Sequence, residues 1–487
     1  MVNILESSRK SIVTSNLIWK FAERVGNQLV TFIITVVLAR LLLPSEYGLI
    51  AMVTVIIAVA NVFITNGIST SLIQKKDADS LDFSSIFYFN IGMSSLLYGI
   101  IYFIAPHVAN FYEYEILSPV LRVIGLGVVV TAINSIQLAY VARNMIFKKL
   151  FYSTIGGNIV SAIVGIVLAY LGYGVWALVA QYLVNLLVNT MVLWVTVRWR
   201  PEFKFSLERV LVLLSFGWKI LLTGLTNTLN LQFRQLVIGK IYSPSDLAFY
   251  NKGFQFPAMV MANIESSVSS VMFPLVSQSQ HNLEDVKYLT RKTIRLTAYI
   301  VFPMLAGLAA VADPLIRLLL TDKWAFCIPY LWIGCFTYAT NIIQIPIQNA
   351  IIAMGKSDYY LKIDIVRQLF SISIFLLLMR SGVLVLALGL IISSIFSLLL
   401  LLASGKRMFA YNYRENLEDY LAIIVASIAM GGLVYSIGLL GLSYSMTLTF
   451  QVVLGIITYL LFSILLHLEG YSFVLNFLKE KVAEFYA

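Results

Sequence analysis

Charged side chains are scarce in this chain. They make up 12% of its 487 residues, while 60% of the residues are hydrophobic; soluble globular proteins have about 25% charged residues. The apolar residues fall in runs long enough to cross the hydrocarbon core of a bilayer as helices, and little polar sequence separates them. The composition therefore excludes a sizeable soluble domain and predicts an all-α integral membrane protein.

Chemically reactive side chains are also rare. Cys327 and Cys335 lie in or beside one apolar segment, so we expect two small buried hydrophobic side chains and no disulfide. No metal-ligand spacing relates the three histidines, which are His107, His281 and His467. We therefore predict that the protein is not an enzyme and has no catalytic residue, metal or bound cofactor.

A weak internal repeat runs through the chain. The segment from Arg40 to Tyr47 resembles the segment from Lys240 to Leu247, and Asn27 corresponds to Asn227. A second set of matches at nearly the same offset pairs Gly127, Asn134 and Gln137 with Gly334, Asn341 and Gln344. Many carriers are built from two helical repeats, with the substrate pathway where the repeats meet. The repeat therefore favours a transporter.

Apolar runs separated by charged residues, proline and glycine predict about fourteen transmembrane helices, from Ile12–Leu38 to Met446–Leu468. The repeat spacing groups twelve of them into two six-helix bundles related by a pseudo-two-fold axis normal to the membrane. The predicted lobes are residues 1–205 and 206–410. Residues 411–487 are expected to add two transmembrane helices and an interfacial tail.

Lysine and arginine are unevenly distributed among the predicted loops. If the N-terminus is cytoplasmic, the loops on that side contain most of the 34 Lys and Arg residues. These residues resist translocation, so the bias predicts that both termini are cytoplasmic. The net charge of +10 is spread between apolar spans and does not form one basic surface, so no nucleic-acid partner is expected.

Ionisable side chains within the spans are the main functional signal. A charge facing lipid is costly, so such residues usually line a pathway or have a partner. Lys20 and Arg24 are four residues apart on the first predicted helix and project from one face, with Asn27 and Gln28 one turn further on. We predict that these four residues belong to a substrate-binding surface.

The later predicted helices carry further cations. Lys219 and Arg234 flank Asn227 on the seventh helix, and Arg367 lies on the eleventh. Basic residues outnumber acidic ones in the spans, and guanidinium groups bind phosphate oxygens in pairs. These four residues are therefore also predicted to contact the substrate, which we expect to be anionic, above all a phosphate or diphosphate.

Local partners offer a second interpretation of the same residues. Lys20 has Glu23 within reach, Arg367 has Asp364, and lysine near a helix end can extend its ammonium to the headgroups. Glu265 is the acid placed deepest in a span. Glu265 and Asp364 are the candidates for coupling to a proton or Na⁺, although Glu265 could equally neutralise a nearby arginine.

Four short segments, taken in order, carry a resemblance to a known family. They begin at Leu43, Gly67, Arg143 and Gly174 and read LPSEYG, GISTSLIQKKD, RNMIFK and GVWAL. Together they resemble polysaccharide flippases of the multidrug/oligosaccharidyl-lipid/polysaccharide exporter superfamily. The match is closest to the Wzx-type lipopolysaccharide and capsule branch and spans nearly the whole chain.

The resemblance implies a carrier in the bacterial inner membrane. Such a carrier moves an undecaprenyl-diphosphate-linked oligosaccharide from the cytoplasmic to the periplasmic leaflet by alternating access, for the assembly of O-antigen, capsule or exopolysaccharide. Arg24 and Arg234 correspond by helix to basic cavity residues of the family. Membrane lipids are expected partners, and a polysaccharide polymerase and chain-length proteins are further candidates.

Two alternatives remain from the sequence. A cation-coupled multidrug exporter of the same superfamily would be expected to carry acidic residues in its cavity, whereas this chain has an excess of arginine and lysine within its spans. A membrane polysaccharide polymerase or acyltransferase would be expected to have a large extramembrane loop or a catalytic His/Asp pair, and neither is visible in this sequence.

Overall fold

The computed structural model describes residues 2–66, 71–72, 75, 77–473, 475–476 and 479, and every regular element in that part of the chain is helical. The all-α prediction is thereby confirmed. Part of the GISTSLIQKKD segment and most of the predicted interfacial tail lie outside the described residues. The helices are α1 (Val2–Leu41), α2 (Pro44–Thr65), α3 (Ser80–Tyr112), α4 (Leu117–Arg143), α5 (Phe147–Tyr170), α6 (Val175–Thr196), α7 (Leu207–Ile241), α8 (Pro244–Gln278), α9 (Leu283–Ala310), α10 (Ala312–Leu320), α11 (Ile328–Ala353), α12 (Ser357–Leu378), α13 (Val383–Phe409), α14 (Tyr413–Gly438) and α15 (Tyr444–Leu465), with a 3₁₀ helix at Asp322–Cys327.

Among the described residues, twelve helices are long and apolar enough to cross a membrane. The helix α7 would make a thirteenth, as a pair of segments, Leu207–Ser215 and Gly217–Ile241, bent by 58°. The helix α12 is as long as several of these spans, but it carries four charged residues and is not one of the twelve. The chain is therefore a multi-pass membrane protein, and the total of fourteen spans stays a prediction.

The chain divides into two compact units, Met1–Ala248 and Phe249–Ala487. In the first unit, α6 packs on α5, α4 on α3 and α1 on α5, while α7 packs mainly on α2 and α3. In the second unit, α9 packs on α14 and α11, α11 on α13, and α14 on α15. The predicted lobes of residues 1–205 and 206–410, and the axis relating them, remain predictions.

The first pair of repeat segments forms the same kind of helix start. Both α2 and α8 begin with proline, which suits the first turn because no N–H is needed there. The Glu46 carboxylate accepts the N–H of Leu43 at 2.7 Å, and the Asp246 carboxylate accepts the N–H of Ser243 at 3.2 Å. The acidic residue of each Pro-Ser-acid segment thus caps the helix it starts.

These two helix starts are in contact with each other within the first unit. A Cβ atom added to Gly48 would lie 1.8 Å from the carbonyl oxygen of Pro244. Backbone approaches backbone here, so a larger residue could be accommodated only if one helix start moved. Glycine is therefore required at this position.

The second pair of repeat segments lies on α4 and α11, two of the most deeply buried helices. On α4, the Gln137 amide donates to the carbonyl of Trp199 at 3.3 Å. On α11, the Gln344 carbonyl oxygen accepts from the Ser397 hydroxyl at 2.5 Å. In each unit, the repeated glutamine uses its amide to join segments distant in sequence.

Prolines inside two helices free a backbone carbonyl that another side chain then satisfies. Proline lacks the N–H that would bond the residue four positions earlier. Pro106 cannot donate to the carbonyl of Tyr102, which accepts a hydrogen bond from Arg122 Nε at 3.3 Å instead. Pro303 likewise cannot donate to the carbonyl of Tyr299, which accepts a hydrogen bond from the Tyr459 hydroxyl at 2.7 Å. Within hydrocarbon, an unsatisfied carbonyl would be costly.

Candidate functional site

Polar side chains form a stripe along one part of α1. Lys20, Arg24 and Thr31 are exposed, and Gln28 between them is partly exposed. The Lys20 ammonium lies 3.3 Å from a Glu23 carboxylate oxygen. The ion pair predicted for Lys20 is therefore present, and Lys20 contributes less positive potential to the surface than a lone cation would.

Asn27, on the same helix, is held in a chain of amide side chains. Asn158 on α5 donates to the Asn27 side-chain oxygen at 2.6 Å. Asn185 on α6 donates to the Asn158 side-chain oxygen at 2.7 Å. The side-chain oxygen of Asn27 thus links α1 to α5 and, through Asn158, to α6. These contacts position Lys20 and Arg24, which lie earlier on α1. Asn158 and Asn185 were not among the predicted site residues, although amides inside apolar spans were a usable signal.

A second polar stripe runs along α7. Lys219, Thr223 and Asn227 are exposed and lie four residues apart, and Arg234 is partly exposed two turns further on. The Lys219 ammonium lies 6.0 Å from the centre of the Trp218 ring. The spacing places all these side chains near one face of the helix. This face begins just after the bend between Ser215 and Gly217.

Both stripes belong to the first compact unit and lie on long helices in which apolar residues surround them. Lipid solvates such side chains poorly, so an exposed polar face in a membrane span indicates contact with water or a polar ligand. Each stripe carries arginine, which can bind two oxygens of one phosphate group. The arrangement is suited to an anion that travels through the membrane in a hydrated environment.

Arg367 lies in a different setting, in the second unit. One of its terminal nitrogens lies 3.6 Å from Asp364 and 3.4 Å from the Tyr360 hydroxyl, and the other donates to Gln344 at 3.4 Å. Ser397 donates to the same Gln344 oxygen. The predicted pairing of Arg367 with Asp364 is therefore present, within a polar network that joins α11, α12 and α13.

Glu265 is exposed on α8, beside Ser266 and Ser267. Among the described residues it makes no ion pair within 4.0 Å. It borders a small cavity of about 10 Å³ that Thr297 and Pro346 also line, which is barely room for one water molecule. Of the two coupling candidates, only Glu265 lies outside an ion pair, because Asp364 contacts Arg367.

Ion pairs at the ends of the spans stabilise the helix ends of the first unit. Lys240 lies 2.9 Å from Glu113 and lowers the pKa of that exposed carboxyl. The N–H of Asp82 donates to Asp79, and this hydrogen bond is the main cause of the lowered pKa of Asp79. The buried Asp82 carboxylate also accepts from Lys75 at 2.6 Å. These contacts are structural and hold the start and end of α3.

A basic cluster in the second unit was not predicted. Lys287, Arg291 and Arg295 occur at four-residue intervals on α9 and contact buried Asp419 or its neighbour Glu415 on α14. A cavity of about 490 Å³ lies against these cations. The four-residue spacing was visible in the sequence, but the carboxylates are more than 120 residues away along the chain.

Both cysteines, Cys327 and Cys335, are buried, as the sequence predicts.

Comparison with solved structures identifies a shared fold, and comparison with protein families identifies the family. The chain is similar to the lipid II flippase MurJ in its inward closed conformation, with a TM-score of 0.74 and 16% identity, over 93% of this chain and 99% of that one. The chain thus shares the fold of that solved flippase structure. Residues 37–329 match the family described as polysaccharide biosynthesis protein, and the chain belongs to that family.

Two curated relatives have informative names. The succinoglycan biosynthesis transport protein ExoT of Rhizobium meliloti is 26% identical over 66% of this chain, which spans 65% of that protein, slightly less than two thirds. The lipopolysaccharide biosynthesis protein WzxC of Escherichia coli is 25% identical over 81% of this chain and 82% of its own length. The predicted resemblance to Wzx-type proteins is confirmed.

Proposed function

We propose that the protein is a flippase for a lipid-linked oligosaccharide. Its cargo is an undecaprenyl-diphosphate-linked oligosaccharide, which it moves from the cytoplasmic to the periplasmic leaflet of the bacterial inner membrane during assembly of a surface polysaccharide. Membership of the polysaccharide biosynthesis family, a relative named as a transport protein and the flippase-like fold support this function. The observation that carries it is the pair of polar, arginine-containing stripes on α1 and α7.

The charge of the diphosphate explains why such stripes are needed. An unpaired anion is expelled from hydrocarbon, so the protein must replace its hydration along the whole path. Arg24 on α1 and Arg234 on α7 bind the diphosphate oxygens, and Lys219 adds a further positive charge on α7. Gln28 and Asn227 offer amides to the diphosphate or to the first sugars. Alternating access then exposes this surface to one side of the membrane at a time.

The remaining predicted site residues are assigned different roles. Lys20 is partly neutralised by Glu23, and Asn27 holds α1 against α5. Arg367 and Asp364 stabilise the packing of α11 to α13. Glu265 is the candidate for binding a coupling proton or Na⁺, because it is exposed and lies beside hydroxyl groups.

The protein acts as a carrier and not as an enzyme, and both of its termini face the cytoplasm. This orientation follows from the bias of Lys and Arg among the loops. A polysaccharide polymerase and chain-length proteins use the delivered oligosaccharide on the periplasmic side. The multidrug-exporter and membrane-enzyme alternatives are not favoured, because the names of the relatives refer to polysaccharide transport and biosynthesis.

Complementation of a strain that lacks its own flippase tests the function. Arg24→Ala and Arg234→Ala should abolish surface polysaccharide and cause the lipid-linked precursor to accumulate, at unchanged levels of the protein in the membrane. Arg414→Ala is the matched control, because Arg414 is 91% exposed and contacts only Glu418 among the ion pairs of the described residues. Normal polysaccharide display by both stripe variants would refute the proposal.

A further inference from the structure

A small pocket lies in the second unit where the end of α9 meets α10, α11 and α14. Its volume is about 300 Å³, at the lower end of the range of about 300 to 1,000 Å³ for ligand pockets. Ala309, Ala310 and Ala325 are among its lining residues, and their small side chains leave the space open. In the proposed orientation α9 starts in the cytoplasm, so this pocket lies at the periplasmic side.

Two aromatic rings line the pocket. Trp332 on α11 and Tyr435 on α14 are 45% and 50% exposed. The indole N–H of Trp332 donates to the carbonyl of Ala309 at 2.9 Å, which fixes the orientation of the ring. With its polar atom already satisfied, the exposed part of the indole is apolar. The pocket therefore offers oriented ring surface to a ligand.

A carboxylate supplies the polar part of the pocket. Asp313, at the start of α10, is the one charged residue among the eight described residues that line it. Arg317 donates from Nε to Asp313 at 2.8 Å and also lies 2.5 Å from Asp322. The Asp313 side chain is thereby held in place and remains 48% exposed. Its other lone pairs can accept hydrogen bonds from a ligand.

We propose that this pocket binds one pyranose ring of the oligosaccharide cargo. A pyranose has a face of apolar C–H groups and a rim of hydroxyls. The C–H face packs on the rings of Trp332 and Tyr435, and rim hydroxyls donate to Asp313. The proposal rests on the proposed function for the source of the sugar, which comes to this side after the lipid changes leaflet. The pocket is distinct from the two polar stripes, which belong to the first unit.

The charges of the pocket favour a neutral ligand. Asp313 and Asp322 share Arg317, so the group carries a net negative charge and disfavours a phosphate. A cationic ligand such as choline could contact aromatic rings and a carboxylate, but Arg317 already occupies the Asp313 carboxylate as its cation. Tryptophan and tyrosine also anchor proteins at membrane interfaces, yet an anchor needs neither a pocket nor a carboxylate.

Saturation-transfer NMR of the purified full-length protein measures the binding. The protein is held in an amphipathic polymer, because maltoside detergents themselves carry sugar rings. The probe is methyl β-D-glucopyranoside, and the control ligand is acyclic D-sorbitol, which has hydroxyl groups but no ring face. We expect saturation transfer to the C–H protons of the glycoside, with a Kd of about 1 mM for a ligand of this size, and none to sorbitol.

Substitutions in the pocket separate the two kinds of contact. Asp313→Asn should weaken binding of the glycoside about tenfold, the effect of losing one hydrogen bond to a charged group. Tyr435→Ala and Trp332→Ala should each abolish the signal. Trp332→Phe keeps an aromatic face without the N–H that bonds Ala309, so it should restore binding that Trp332→Ala loses.

Two exposed aromatic residues outside the pocket serve as matched controls. Phe336 lies one turn beyond Trp332 on α11, is 45% exposed and does not line the pocket. Tyr173, between α5 and α6 in the first unit, is 56% exposed. Phe336→Ala and Tyr173→Ala should bind the glycoside like the unmodified protein.

The outcomes distinguish this proposal from the proposed function. Flipping of a lipid-linked oligosaccharide in vesicles without glycoside binding would overturn the pocket alone, whereas glycoside binding without flipping would count against the flippase. Equal saturation transfer to sorbitol, equal losses in pocket and control variants, or displacement of the glycoside by an equal concentration of choline would also overturn the assignment of the pocket.

Discussion

Asp419 is the residue whose replacement should destabilise the second unit most clearly. Its carboxylate is fully buried, contacts both Arg291 and Arg295 and accepts the Tyr411 hydroxyl at 2.6 Å. Asp419→Asn keeps the shape of the side chain and removes its charge. Two guanidinium groups would then lose their shared buried counterion.

The size of the effect can be worked from these contacts. Breaking a buried ion pair by removing one partner costs about 3 to 5 kcal/mol. Glu415 remains 3.5 Å from Arg291, and Glu469 remains 2.6 Å from Arg295, so the lower end of that range applies. For a cooperative unit of this size, about 3 kcal/mol corresponds to a fall of roughly 6 °C in the melting temperature.

Thermal unfolding of the purified protein, followed by intrinsic fluorescence, measures this effect. Glu418→Gln is the control, because Glu418 is 56% exposed and, among the ion pairs of the described residues, contacts only the exposed Arg414. An exposed pair contributes at most about 1 kcal/mol, so the control should melt within about 2 °C of the unmodified protein. If Asp419→Asn melts at the same temperature as the control, Asp419 does not organise the basic cluster as described.

Two further substitutions test the packing of each unit. Gly48→Ala should strongly reduce the amount of folded protein, because the new Cβ would lie 1.8 Å from the backbone at the start of α8. Gly99→Ala should not reduce it, because a Cβ there meets no atom within 4 Å. Fluorescence-detected size-exclusion chromatography compares the two variants. Tyr459→Phe should lower the free energy of unfolding by about 1 kcal/mol, because the carbonyl of Tyr299 loses its donor. Tyr435 is half-exposed, and Tyr435→Phe should leave the free energy of unfolding unchanged. Equal effects of the two substitutions would contradict a stabilising role for the hydrogen bond from Tyr459 to Tyr299.

The helical architecture could be predicted because it depends on local sequence. Apolar runs determine the spans, and proline followed by an acid determines the starts of α2 and α8. The bend in α7 was not predicted. The apolar run continues through Ser215 and Gly217, and nothing in its hydropathy marks the break.

The roles of individual charged residues were harder to predict, because they depend on distant partners. The pairs of Lys20 with Glu23 and Arg367 with Asp364 were anticipated, since each lies within one helical turn. The contact of Arg367 with Gln344 and the convergence of two arginines on Asp419 depend on tertiary packing across 23 and more than 120 residues. Hydropathy and spacing within one helix contain no information about such contacts.

Transport in reconstituted vesicles tests the central claim that the cations of α1 and α7 allow a diphosphate to cross the membrane. Vesicles that contain a fluorescent polyprenyl-diphosphate-linked oligosaccharide are treated with a membrane-impermeant quencher, and the protected fraction is followed with time. The unmodified protein and Arg414→Ala should equalise the label between leaflets. Arg24→Ala and Arg234→Ala should slow this step about tenfold to a hundredfold, the effect of losing one hydrogen bond to a charged group. Equal rates for all four proteins, or no movement of the lipid with the unmodified protein, would contradict the account.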